Sequence, residues 1–388
     1  MLELGRIITR GRRFIAEVDG LRFVAIMAVV LFHVRQYTLE KHFAGVTIRP
    51  YEAWLPDVLY LGRYGVQLFF ILSGFLLVMP FAKWRLGLGP KPSLRTYYLR
   101  RLTRLEPPYL LSMLLLFAGG IVAYGVAAGL ANWPNLLASL IYQHNLIFGE
   151  KSAVSVVAWS LEIEVQFYIL APFFAVIFFI RDALARRAVL VSAMIAIPLL
   201  RSLLPFYMAG RFNSLPWYLE FFVAGFILAD FYLVDWKEAP KHTLGWDLAS
   251  LAGWPALVAL LLWGQAPALI APVALVAYFG AFRGTISSRF FCHPVITLTG
   301  GMCYSMYLLL YAVISASGRL FKRFLIGSNF TTRFVLDALV VIPVVLVVTG
   351  VFFVLIERPC MDPTWPSKVS VRIRRLFAGV SQAESADS

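Results

Sequence analysis

Arg22 and His33 enclose the run Phe23-Val24-Ala25-Ile26-Met27-Ala28-Val29-Val30-Leu31-Phe32. Eleven steps of an α-helix make about three turns plus 20°, so both side chains lie on one face, about 16 Å apart along the axis. An imidazole serves as a general base near neutral pH, and a guanidinium pairs with phosphate. Ionisable residues inside an apolar run are functional candidates because their burial is costly. The plainer alternative is a snorkelling Arg22 and a His33 that hydrogen-bonds a neighbouring helix. Asp19, one turn before Arg22, either pairs with it or caps the helix.

Three further stretches carry polar chemistry. In Arg100-Arg101-Leu102-Thr103-Arg104-Leu105-Glu106-Pro107-Pro108-Tyr109, Arg101 and Arg104 are helical neighbours placed to hold polyphosphate; the competing reading is the arginine enrichment of cytoplasmic membrane flanks. In Trp159-Ser160-Leu161-Glu162-Ile163-Glu164-Val165-Gln166-Phe167-Tyr168, two carboxylates open an apolar segment on different helix faces. One is expected inside the bundle and the other toward water, or both solvated at the helix N-terminus. Ser73-Gly74, in mid-run, is expected to pack helices as small residues do, since a nucleophilic serine needs an adjacent base. His42, His144, His242 and His293 have no metal-ligand spacing, and Cys292, Cys303 and Cys360 form neither a metal motif nor a disulfide framework.

The elements that must position these groups are hydrophobic. The chain has 388 residues, 60% hydrophobic and 14% charged, with a mean hydropathy of +0.76. That composition excludes a soluble globular protein and predicts an all-α, polytopic membrane bundle. The net charge of +14 sits in short segments between apolar runs, so it does not indicate nucleic-acid binding. Ten stretches approach the roughly 20 residues needed to cross a bilayer: 21–38, 64–84, 107–130, 163–180, 188–204, 217–234, 248–264, 267–282, 302–318 and 334–356. Gly264-Gln265-Ala266 reads as a tight hairpin, and Leu136–Phe148 as a re-entrant or interfacial piece too short to span.

Arg6, Arg10, Arg12 and Arg13, the 85–104 loop, Arg181, Arg186 and Arg187, and Lys368, Arg372, Arg374 and Arg375 all fall on the cytoplasmic side of a ten-span layout. Both termini are then cytoplasmic and the protein lies in the inner (plasma) membrane. Arg319, Lys322, Arg323 and Arg333 fall outside and break the rule. The first apolar run has no small-residue cleavage site and is expected to stay as a span. Residues 1–362 read as one membrane domain and 363–388 as a basic, then disordered, cytoplasmic tail. No repeat or inverted pair of broken helices points to a common transporter plan.

In this order the motifs resemble membrane-bound acyltransferase family 3 over roughly residues 17–360. The resemblance rests on Asp19-Gly20-Leu21-Arg22 through His33, Gln67 to Phe75, Arg101-Leu102-Thr103-Arg104 with Pro107 and Tyr109, Trp159-Ser160-Leu161 with Glu164, Gln166, Phe167 and Tyr168, Tyr304-Ser305-Met306-Tyr307-Leu308, and Glu357-Arg358-Pro359. It implies an O-acyltransferase using acyl-CoA, most simply acetyl-CoA, as co-substrate and no metal. His33 would be catalytic with Glu164 as the family carboxylate, and Arg22, Arg101 and Arg104 would contact acyl-CoA. The expected acceptor is a hydroxyl of a cell-surface carbohydrate or glycolipid. Alternatives are a macrolide-like or lipid hydroxyl, or a glycolipid or small-molecule transporter. Two departures stand out: Leu310 occupies the place of a family histidine, with Cys303 replacing a serine, and no esterase-like domain follows the bundle. Acceptor choice is therefore expected within the bundle or on a partner.

Overall fold

Helix-forming apolar runs and the prolines that interrupt them account for the architecture of the computed structural model, which describes residues 14–45, 48–203, 214–321, 329–362 and 365. The helices are α1 (Ala16–His42), α2 (Trp54–Tyr60), α3 (Gly65–Arg85), α4 (Leu94–Tyr124), α5 (Val126–Leu130), α6 (Trp133–Leu140), α7 (His144–Phe148), α8 (Ala158–Phe174), α9 (Ala183–Leu203) and α10 (Leu219–Val234). After them come α11 (Leu244–Trp263), α12 (Pro267–Arg283), α13 (Thr285–Phe291), α14 (Pro294–Gly301), α15 (Cys303–Phe321), α16 (Phe330–Phe352), a π-helical turn Phe353–Glu357 and α17 (Arg358–Cys360). No strand occurs among the described residues.

The all-α expectation holds, while the expected number of crossings is met only in part. Six helices are long and apolar enough to cross a membrane, or eight if the pairs α12–α13 and α14–α15, bent by 90° and 69°, each count as one. Outside that set lie α1, which carries Asp19, Arg22 and Arg35, and α10, with 16 residues. Residues 133–148 form the two short helices α6 and α7, broken at Tyr142, whose φ is 57°, so this piece is not a spanning helix. Gly264 closes α11 in the left-handed region with φ 71°, giving the hairpin into α12.

Helix α1 is central, packing against α3, α14, α15 and α16, with Leu21, Ala25, Ile26, Val30 and Val34 fully buried. Backbones meet where glycines permit it. A Cβ on Gly74 of α3 would collide with the Phe222 carbonyl of α10, and one on Gly225 with the Ile71 carbonyl. Such contact is how helices associate where lipid removes the hydrophobic drive.

Proline leaves its own signature. Pro172 in α8 has no N–H for the Tyr168 carbonyl, and the Tyr97 hydroxyl of α4 donates to that oxygen at 3.2 Å. Pro107 likewise frees the Thr103 carbonyl, which accepts from Trp365 Nε1 at 2.9 Å. Arg333, counted above with the outer loop, lies instead within α16. It is buried and ion-paired with Asp337 at 3.3 Å, and the second oxygen of Asp337 accepts from Thr38 of α1 at 2.8 Å. The rule-breaking charge is thus partly a neutralised packing residue. Lys322, Arg323, the Arg6–Arg13 group and the basic tail lie outside the described residues.

Candidate functional site

The charged group at the start of α1 gathers residues from α1, α3, α4, α8 and α15 and from the π-helical turn. Arg22 Nη1 donates to Asp19 Oδ1 at 2.7 Å, so Asp19 pairs with Arg22. Arg22 also lies within electrostatic reach of Glu164 and Cys303. Arg104 lies within reach of Arg22, Glu357, Arg101 and Asp19, and its buried Nε has no hydrogen-bond partner. Arg101 sits over the rings of Tyr97 and Tyr168, at 5.4 and 5.2 Å. Glu164 Oε1 accepts from Ser73 at 2.5 Å, and the Tyr168 hydroxyl, one turn on, also bonds Glu164. Arg22, Arg101, Arg104 and Glu164, singled out in the sequence, therefore form one group. Its spare guanidinium donors suit a polyphosphate.

Glu357 completes this group. Its carboxylate accepts the Ser305 N–H at 3.0 Å and the Ser305 hydroxyl at 2.5 Å, satisfying a donor of the first turn of α15. The Tyr304 hydroxyl donates to the Leu105 carbonyl at 2.9 Å, fixing α15 to the proline-bearing part of α4.

His33 stands apart, about 16 Å further along α1. It is 8% exposed, its Nδ1 is buried without a hydrogen-bond partner, and its ring meets Phe32 and Tyr311 edge-on at 4.9 and 5.9 Å. Leu310, at the family histidine's place, is fully buried core; the residue of that helix that reaches His33 is Tyr311. Lys151 is the charged group within electrostatic reach of His33, on a loop anchored at 3.0 Å by His144 Nδ1 against the Glu150 carbonyl and at 2.9 Å by Ser139 against Ser152.

Tyr304, Tyr307 and Tyr311 recur at helical spacing on α15 and lead from the arginines to His33. The hydroxyls of Tyr307 and Ser160 are 2.5 Å apart. Glu162 is completely buried, and its Oε2 accepts the Asn145 N–H at 2.8 Å. Neither carboxylate of α8 is simply solvated. Ser73, read from the sequence as a helix-packing residue, instead donates to Glu164; Asn145 and Tyr311 were not legible as site residues, because their partners are remote in sequence, and for Tyr311 the available signal was the tyrosine spacing on α15. Among the described residues no three His, Cys, Asp or Glu side chains gather where they could hold a metal.

A family model described as an acyltransferase domain matches residues 15–357. The chain is 24% identical to a Staphylococcus aureus protein named "Putative O-acetyltransferase" over 78% of its own length and 51% of that protein. It is 28% identical to a Bacillus subtilis protein named "Putative peptidoglycan O-acetyltransferase" over 48% of its length and 28% of that protein's. It is 27% identical to the peptidoglycan O-acetyltransferase of Listeria monocytogenes over 43% of its length and 25% of that protein's. The chain thus spans about half the length of the Staphylococcus relative and about a quarter of the other two. No solved structure matches it significantly. The chain belongs to acyltransferase family 3.

Proposed function

We propose that this chain is an integral-membrane O-acyltransferase that moves an acyl group, most simply acetyl, from cytoplasmic acyl-CoA to a hydroxyl of a cell-surface carbohydrate. The observation that carries this reading is the gathering of Arg22, Arg101, Arg104 and Glu164 at one end of the helix that holds His33 three turns away. The arm of coenzyme A joins phosphate to sulfur through about thirteen bonds, and an extended chain covers about 3.5 Å per three bonds, or about 15 Å in all. Phosphates held by the arginines would therefore deliver the thioester to the depth of His33. The peptidoglycan relatives favour a carbohydrate acceptor.

In this scheme His33 takes the proton of the acceptor hydroxyl as the oxygen attacks the thioester carbonyl. The C–O bond forms, the C–S bond breaks, and the departing thiolate recovers the proton from His33. Base catalysis of this kind contributes about 10²–10⁴-fold, with positioning supplying much of the remainder. A covalent acyl-histidine relay is the variant in which the acyl group crosses before meeting the acceptor.

The sided layout rests on ten crossings: the eight above, with the bent pairs as one span each, plus α1 and α10. Contacts between loops support it. Lys83 pairs with Glu238 at 2.8 Å, Arg283 donates to the Lys241 carbonyl at 2.8 Å, and Asp247 accepts the Thr285 N–H at 3.0 Å, all between segments that ten crossings assign to the cytoplasm. Glu52 accepts the Thr331 N–H at 3.1 Å and Arg333 donates to His42 at 2.7 Å, between segments assigned outside.

The test is acyl-CoA-dependent acylation by membrane-inserted protein. His33→Ala is expected to abolish turnover and Arg101→Ala to weaken acyl-CoA binding; full activity of the His33 variant would sink the scheme.

A further inference from the structure

Tyr311 ends the tyrosine stripe of α15 in a different state from its predecessors. Residues 304, 307 and 311 lie within about 60° of one another around the helix, with Tyr311 about 10 Å further out than Tyr304. Tyr304 donates to the Leu105 carbonyl of α4 at 2.9 Å, and Tyr307 to the Val157 carbonyl at 3.1 Å. Tyr311 faces the same way, toward the outer ends of α4 and α1, where Tyr124 and Glu40 lie within its electrostatic reach. Its hydroxyl makes no hydrogen bond among the described residues. It is 38% exposed although its ring stands 5.9 Å from that of His33. No residue of α4 beyond Met113 is buried, and a Cβ on Gly119 or Gly120 would meet nothing within 4 Å, so the space on this side is open. A phenol without a partner is disfavoured against hydrocarbon, which leaves water or a ligand to meet it.

Lys151 borders the same mouth from the loop before α8. It is exposed and within electrostatic reach of His33. Both of its chain neighbours are held, the Glu150 carbonyl by His144 Nδ1 at 3.0 Å and the Ser152 hydroxyl by Ser139 at 2.9 Å. The ammonium therefore hangs from a fixed backbone, and it makes no ion pair among the described residues. Ten crossings assign this loop, Tyr124 and Glu40 to the outer face. We infer that Tyr311 and Lys151 form the acceptor subsite: a sugar ring lies against the Tyr311 ring, and Lys151 donates to an oxygen of the same saccharide. A tyrosine offers a flat apolar face with a polar tip and an ammonium three donors, which match the C–H face and the oxygen-rich edge of a pyranose. This rests on the acyltransferase reading. The subsite presents the sugar hydroxyl to His33 from the side opposite the arginines.

The test uses the full chain in membranes, with acetyl-CoA as donor and two acceptors, an N-acetylglucosamine tetramer and glycan strands solubilised from peptidoglycan. Binding of desulfo-coenzyme A reports the donor side and intact folding. Tyr311→Leu and Lys151→Gln are each expected to raise the acceptor KM about tenfold, the scale of one stacked ring or one charge-assisted hydrogen bond, and to leave desulfo-coenzyme A binding unchanged. Tyr311→Phe keeps the ring and should recover most of the loss. An acceptor KM that stays put in Tyr311→Leu and Lys151→Gln makes Tyr311 a lipid-facing side chain and overturns the inference, with the acyltransferase reading intact. The inference is also overturned if acceptor KM and desulfo-coenzyme A binding worsen together, since the side chains would then support the bundle. Unmodified protein that binds desulfo-coenzyme A but acetylates neither glycan removes the saccharide subsite alone. Failure to bind desulfo-coenzyme A and to transfer acetyl overturns both readings.

Discussion

Glu164 shares its group with the arginines, and no hydrogen bond connects it to His33 among the described residues. Ser73 and Tyr168 hold its carboxylate, and Arg22 lies within its field. Its replacement is therefore expected to act through the donor. Glu164→Gln should raise the KM for acetyl-CoA about tenfold, the scale of one partly exposed charge-assisted hydrogen bond, with a smaller fall in kcat. Steady-state kinetics decide this, and a loss confined to kcat would place the carboxylate in the proton chemistry of His33. Arg22 and His33 were legible because a single helix relates them and its periodicity is fixed. Glu162 and Glu164 were left undecided for the opposite reason, since each is settled by a partner elsewhere in the chain, Asn145 and Ser73. Spacing along one helix carries no information about a partner 91 residues away.

Helices in this bundle meet through two devices that the sequence advertises only as isolated glycines and prolines. The first is the crossing of α3 and α10. Gly74→Ala and Gly225→Ala put a methyl into the opposing backbone, which cannot yield as a flexible side chain can, so both variants are expected to lose detergent-stable folded protein. Gly119→Ala and Gly120→Ala in α4 meet nothing within 4 Å and should be tolerated; size-exclusion profiles separate the two outcomes. The second device is a carbonyl freed by proline and filled by a distant hydroxyl. Tyr97→Phe leaves the Tyr168 carbonyl without its donor and should cost about 1 kcal/mol. In a Pro172→Ala background the new N–H can satisfy that oxygen within α8, so the cost of Tyr97→Phe should shrink. A thermal-unfolding double-mutant cycle measures the coupling, and additive effects would refute the pairing. The prolines themselves were readable from sequence, whereas the donor each would recruit depends on which helix lies alongside.

At the level of the whole molecule, hydropathy located each apolar run, but length and apolarity alone do not fix how many cross. The helix α1 interrupts its apolar run with Asp19, Arg22 and Arg35, α10 is short, and α12–α13 and α14–α15 bend sharply. Sidedness follows from the count, because a single crossing gained or lost exchanges every later loop between the two faces. Contacts resist such an exchange, since ion pairs and caps between loops require both partners on one face. Lys83 with Glu238 and Lys241 with Arg283 tie together segments far apart in sequence, and Glu52 with Thr331 ties a second set. Ten crossings place the first set inside, the second outside and the hairpin at Gln265 outside. After replacement of Cys292, Cys303 and Cys360, single cysteines at Lys91, Glu238 and Gln265 are expected to react differently with a membrane-impermeant maleimide. The Gln265 position should label in intact cells, and the Lys91 and Glu238 positions only after permeabilisation. Labelling of Gln265 from the same side as Glu238 would remove the ten-crossing layout. It would also break the proposed route, in which coenzyme A phosphates enter beside Arg101 and the acceptor meets His33 from the opposite face.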